Sequence, residues 1–138
     1  MVPKQISGEN VSIGQDRLKL GKVEGIQKIL NENEQIVTTC EILKLHKSGK
    51  WVKKSMLLTT HRLLVLEMQT KEVKRTIKLN NVMAMTKNMT KGKFNFAVHV
   101  RDEHDISFYS RERDELFKHI KECYFSTVNR NLPIYGVA

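Results

Sequence analysis

Residues 44–68 read KLHKSGKWVKKSMLLTTHRLLVLEM, and the reading of this stretch decides the fold. It opens as lysines around a Ser48-Gly49 break and becomes the apolar run Met56-Leu57-Leu58. A polar break, Thr59-Thr60-His61-Arg62, separates that run from a second one, Leu63 to Leu66. Two runs of strand length around a short polar break predict a β-hairpin. The lysines then fall on the loop entering the hairpin and on the first residues of its leading strand. A basic loop held on a rigid sheet suits an anionic ligand.

Outward from the hairpin, the same reading gives strands on both sides. Residues 34–46 are rich in β-branched side chains (Ile36, Val37, Thr38, Thr39, Ile42) and predict a first strand, with the hairpin strands at 51–59 and 62–69. Val73, Arg75, Ile77 and Leu79 alternate with Lys74, Thr76 and Lys78, the pattern of a half-buried strand. A short strand follows at 82–86, then Phe94, Phe96, Val98 and Val100 alternating with polar or small residues, then a strand at 106–109. The period changes at Ser110. Leu116, Phe117, Ile120, Cys123 and Tyr124 recur at helical spacing, Ser110 suits an N-cap, and Glu112, Asp114 and Glu115 lie where the helix dipole favours negative charge. This predicts a helix over 110–127. Leu18, Leu20, Val23, Ile26, Ile29 and Leu30 predict an extra N-terminal helix over 16–31, weakened by Gly21 and Gly25. Residues 1–15 and 132–138 read as tails or linkers. The expected core joins Phe94, Phe96, Val98, Val100, Ile106, Phe108, Leu116, Phe117 and Ile120.

A chain of 138 residues suits one domain, and 40% hydrophobic with 28% charged residues is a globular composition. The net charge of +9 favours an anionic partner: an acidic membrane, an acidic protein or nucleic acid. Cys40 and Cys123 lie inside apolar patterns and make no metal-ligand spacing with the histidines, so neither a disulfide framework nor a metal site is expected. An intracellular setting follows from that usage. No apolar segment is long enough to span a bilayer and no signal-peptide core is present, so any membrane contact is expected to be peripheral.

Seven short strands closed by one helix predict a mainly β fold, a bent β-sandwich or barrel whose open end the helix plugs. Five segments in order, KKSMLLTTHRLLVLE, VKRTIKLNNV, GKFNFAVHV, DISFYSRERDELFKHIKE and NRNLPI, resemble the PH-like tail homology domain of class I myosins over about residues 53–134. The resemblance implies a pleckstrin-homology-like domain at 16–131, a module of a longer protein. It also implies a phosphoinositide headgroup held between a lysine late in strand one and a basic residue early in strand two. By position these are Lys44 and Lys54, with Lys47, Lys50 and Lys53 crowding the same mouth. The arginine usual in strand two is missing, since Ser55 follows Lys54. Without a bidentate guanidinium the expected affinity is mostly electrostatic.

Other readings stand beside this one. Charge runs are usually solvated faces, yet residues 44–75 hold nine Lys/Arg against two acids, Glu67 and Glu72. Trp51 is a candidate membrane contact, because indoles favour the lipid interface, and equally a candidate for strand packing. Met83, Met85 and Met89 read as sheet filler. No catalytic signature occurs, so a non-enzyme without a cofactor is expected. A nucleic-acid role would rest on phosphate attraction alone, for the chain lacks both a basic recognition helix and paired surface aromatics. A protein-interaction role, through a groove between an edge strand and the C-terminal helix, remains open. The sequence thus leads to the expectation of a cytoplasmic module that docks on the inner face of anionic, phosphoinositide-containing membranes.

Overall fold

The computed structural model describes residues 15–138; all of the predicted N-terminal tail except Gln15 lies outside the described residues. Eight strands form one bent sheet: β1 (Ile36–Leu45), β2 (Trp51–Thr59), β3 (Arg62–Leu66), β4 (Val73–Lys78), β5 (Val82–Asn88), β6 (Asn95–Val100), β7 (Ile106–Tyr109) and β8 (Ile134–Val137). Their order across the sheet is β4-β3-β2-β1-β7-β6-β5-β8. Every pairing is antiparallel except β5 with β8. The predicted class, a mainly β fold with a capping C-terminal helix, is the one that forms.

The hairpin explains its own sequence. Met56 pairs with Val65 and Leu58 with Leu63, and all four belong to the main core. Leu57 pairs with Leu64 on the opposite face, in a second core with Leu20, Ile26 and Leu66. These strands are apolar without alternation because both their faces are buried. The main core takes residues from β1 to β7 and from the helix α2 (Arg113–Val128). All nine predicted core residues are buried except Phe94, which is half-buried against Tyr109.

Strand ends shift by up to three residues, as where β3 stops at Leu66 instead of 69, and three segments depart further from expectation. The single helix over 16–31 is instead a 3-10 turn, Leu20–Lys22, and a short helix α1, Glu24–Ile29. Asp16 accounts for the break: its carboxylate accepts the N–H groups of Leu20 (2.9 Å) and Gly21 (2.8 Å) and the Thr39 hydroxyl (2.9 Å). Val23 between the pieces is extended, so burial of Leu20 and Ile26, not helix propensity, holds this segment. Helix α2 begins three residues later than predicted. Ser110 accepts the Glu112 N–H in a local turn (3.1 Å), and Glu112 is the cap residue. The predicted tail at 132–138 contains β8, the eighth strand. The Met85 N–H donates to the Pro133 carbonyl (3.0 Å) and the Met89 N–H to the Val137 carbonyl (2.7 Å), which ties the segment to β5.

Cys40 and Cys123 are free and buried, and burial pushes their thiols up to about 11 and about 12. The thiolate is the reactive form. Native protein at pH 8 is therefore expected to resist a thiol reagent, with both cysteines titrating only in denaturant. Rapid reaction of either in the native state would mean that the core is open there.

Candidate functional site

Strands β1 and β2 are joined by residues 46–50, closed by the His46 N–H donating to the Lys50 carbonyl (2.7 Å) and the Gly49 N–H donating to the His46 carbonyl (2.8 Å). Gly49 has φ +91, a left-handed conformation that glycine adopts without strain. Ser48 turns inward on the loop: its N–H donates to His46 Nδ1 (3.2 Å), and its hydroxyl lies 3.0 Å from the same nitrogen. The lysines on either side thus project from a closed turn.

The register sorts the five predicted lysines. Ile42 pairs with Lys54, Leu43 with Lys53, Lys44 with Val52 and Leu45 with Trp51. Paired residues share a face and neighbours alternate. Lys44 and Lys54 therefore lie on the face of Ile42, a core residue, and Lys44 pairs across to buried Phe108. They stand at the mouth of the bent sheet, whereas Lys53 lies on the outer face and Lys47 and Lys50 on the exposed turn.

Ion pairing divides the lysines again. The Lys54 side chain, only 16% exposed, pairs with Glu67 just past the end of β3, and Lys53 lies 3.9 Å from Glu41. The hydrogen bond from Lys54 and its charge outweigh desolvation and hold the Glu67 carboxyl below the usual range. Lys44, Lys47 and Lys50 make no ion pair among the described residues. The sequence reading missed Glu67 as a partner. The signal was available: counting back from the Thr60-His61 turn, Glu67 falls opposite Lys54.

Trp51 points away from Lys44 and Lys54. It is 40% exposed and walls two outer-face hollows. One, of about 320 Å³, is lined by Leu43, Trp51, Gly92, Lys93, Asn95 and Tyr109. The other, of about 270 Å³, runs over Ala97, Ser107 and Thr86 toward Val137. A larger hollow, about 570 Å³, lies between β5 and α2, where Lys87, Lys118 and Lys121 alternate with Asp114 and Glu122. Met85 is core as expected, but Met83 and Met89 are exposed. Among the described residues no group of three or more His, Cys, Asp or Glu is placed to hold a metal ion, and no helix is long and apolar enough to cross a membrane.

Residues 13–135 match a family described as unconventional myosin tail, actin- and lipid-binding. Among solved structures, the hSac2 domain of the human phosphoinositide phosphatase Sac2 superposes with a TM-score of 0.62 at 11% identity, covering 92% of each chain. The Slm1 PH domain in complex with inositol-4-phosphate gives 0.53 at 13% identity, over 67% of this chain and 96% of that one. A linker-DH/PH fragment of p115-RhoGEF gives 0.57 at 14% identity, over 86% of this chain but only 38% of that one. The chain thus spans little more than a third of that longer relative. At such identities the likeness shows the fold, which is PH-like. No curated protein matches the chain.

Proposed function

Because the chain belongs to the unconventional myosin tail family, whose description is actin- and lipid-binding, we propose that it is a non-catalytic module docking on anionic, phosphoinositide-containing membranes through the mouth between β1 and β2. The observation that carries this reading is that Lys44, Lys47 and Lys50, none ion-paired among the described residues, lie on the end of β1 and the turn that joins it to β2. Each lysine near an acidic bilayer contributes about 1 kcal/mol, screened over about 8 Å at physiological salt. Lys44 would meet the headgroup first, with Lys47 and Lys50 supplying the field around it. Lys54 would join once a phosphate competes with Glu67, and Lys53 lies on the flank. Trp51, 40% exposed on the outer face just after the turn, would reach headgroup depth from the side opposite Lys44 and Lys54. Such attraction is weak and reversible, so the module would act with neighbouring modules of a longer protein at the cytoplasmic surface. The net charge of +9 also suits an acidic protein surface, and actin is the family's other ligand.

Co-sedimentation with phosphatidylserine vesicles containing phosphoinositide tests the reading. The Lys44→Ala/Lys54→Ala double variant is expected to bind roughly 10-fold more weakly, the effect of removing one to two such contacts. Glu67→Gln is expected to bind severalfold more tightly, because it frees Lys54 and removes an opposing charge. Affinity should follow total negative charge more than one inositol stereoisomer and should fall with salt. Undiminished binding by the double variant would move the site elsewhere, and indifference of the wild type to acidic vesicles at low salt would end the membrane reading.

A further inference from the structure

We infer that Ser48 is a phosphorylation site for a protein kinase that selects basic segments, and that phosphate there releases the domain from an anionic membrane. Release presupposes the docking proposed above; the modification itself does not. Residues 45–53 are all exposed, the longest such run among the described residues, and Ser48 lies within it. The turn is closed by two backbone hydrogen bonds, His46 N–H to Lys50 and Gly49 N–H to His46. The Ser48 hydroxyl lies against the ring of His46, itself exposed. None of residues 45–53 belongs to either core, so this end of the hairpin opens into the extended form a kinase cleft takes without uncovering them. Other hydroxyls beside basic residues are less available. Thr90 stands among Lys87, Lys91 and Lys93, but its loop is held from beneath. Arg113, buried at the start of α2, donates from Nη1 to the carbonyls of Asn88 (2.7 Å) and Lys93 (3.2 Å). Thr76 follows Arg75 but is paired with Leu64 inside the sheet, and Ser55, Thr59 and Thr60 are buried.

The charge around Ser48 serves both halves of the inference. Lys44 and Lys47 precede it and Lys50 follows it, a basic field that an acidic kinase cleft selects. Residues 44–54 hold five lysines and no acid. In the transfer, Ser48 Oγ attacks the γ-phosphorus of ATP. The new O–P bond forms as the bridging bond to the β-phosphate breaks, ADP leaves, and the hydroxyl proton passes to the kinase's catalytic carboxylate. The phosphoserine carries a charge of about −1.5 to −2, so it offsets roughly two of the five lysines. Its oxygens compete with lipid phosphates for Lys47 and Lys50, and the bilayer repels the added charge.

Incubating the full chain with ATP and a protein kinase C catalytic domain, an enzyme that selects basic segments, tests the modification. Mass mapping is expected to place the phosphate on Ser48, and Ser48→Ala should lose it. Phosphate found only elsewhere, or nowhere, would overturn the assignment. Co-sedimentation of the phosphorylated chain with phosphatidylserine vesicles containing phosphoinositide tests the release. Binding should weaken about 30-fold, the effect of cancelling two lysines, and phosphatase treatment should restore it. Ser48→Asp, with a single negative charge, should weaken binding about 5-fold. Ser48→Ala and Ser48→Asn should bind like the wild type, since each keeps every lysine, and circular dichroism checks the folding of all three variants. Equal binding by the phosphorylated and unmodified chains would overturn the release. So would a loss in Ser48→Asn matching that in Ser48→Asp, which would assign the effect to the shape of the turn and not to charge. Indifference of the unmodified wild type to these vesicles would end the docking reading and the release together, while the phosphate map alone decides the modification.

Discussion

Phe117→Ala is expected to destabilise the fold by about 3–5 kcal/mol, the usual range for emptying a buried phenylalanine site. Phe117 is 4% exposed, and its ring meets Phe96 edge-on with centroids 5.2 Å apart. Phe96 in turn packs on Phe108 at 5.4 Å, so the three rings join helix α2 to β6 and β7. Truncation leaves a cavity where the helix caps the bent sheet, and the strands around it are held by hydrogen bonds that limit collapse. Against a total stability of about 5–15 kcal/mol, this is a large fraction. Urea denaturation measures it. Phe125→Ala supplies the control: that residue sits on the same helix, 48% exposed, and its loss should stay within about 0.5 kcal/mol. A loss below roughly 1 kcal/mol for Phe117→Ala would mean that α2 presents another face to the sheet.

The elements most legible in the sequence were those whose burial follows a clear period. Phe96, Val98 and Val100 alternate because β6 has one face in the core, and the 51–59 strand and the 106–109 strand were placed to the residue. Where several weak forces compete, the pattern misled. Leu20 and Ile26 have helical spacing, but Asp16 captures the backbone N–H groups that would continue the first turn. Ile134 to Val137 is four residues long, too short for alternation to be seen, and becomes a strand only because β5 offers a free edge.

The candidate site was legible as charge and much less so as geometry. The lysines of the β1–β2 turn follow from composition, but which of them remain without a partner depends on strand register. Lys54 looked equivalent to Lys44 until Glu67 was placed across the hairpin. The approach of Lys93 to Trp51 depends on contacts more than 40 positions apart in sequence and on Arg113 beneath the loop, and no local pattern encodes that.

Glu34→Ala is expected to cost about 3–5 kcal/mol, because it leaves the Arg62 guanidinium without its partner in a largely buried place. The Glu34 side chain is 1% exposed and that of Arg62 17%. Arg62 donates from Nε to Oε2 (2.8 Å) and from Nη2 to Oε1 (2.6 Å), a two-point pairing that lysine could not reproduce. The carboxylate also accepts the Thr59 hydroxyl (2.5 Å) and the Asn31 N–H (2.9 Å), while Arg62 reaches the Ile29 carbonyl (2.7 Å). One pair thus fastens the end of α1 to the hairpin turn and keeps the second core covered. Burial opposes the charge on Glu34, but the hydrogen bonds from Arg62, Asn31 and Thr59, with the guanidinium charge, hold its carboxyl below the ordinary value of 4.5. A depressed folded-state value means that this stability is present above pH 4.5 and is lost as pH falls through the folded value. Urea midpoints at pH 7 and pH 3.5 should therefore fall further for the wild type than for Glu34→Gln, which carries no titrating group there. Parallel loss in both proteins would assign the acid sensitivity to other carboxylates.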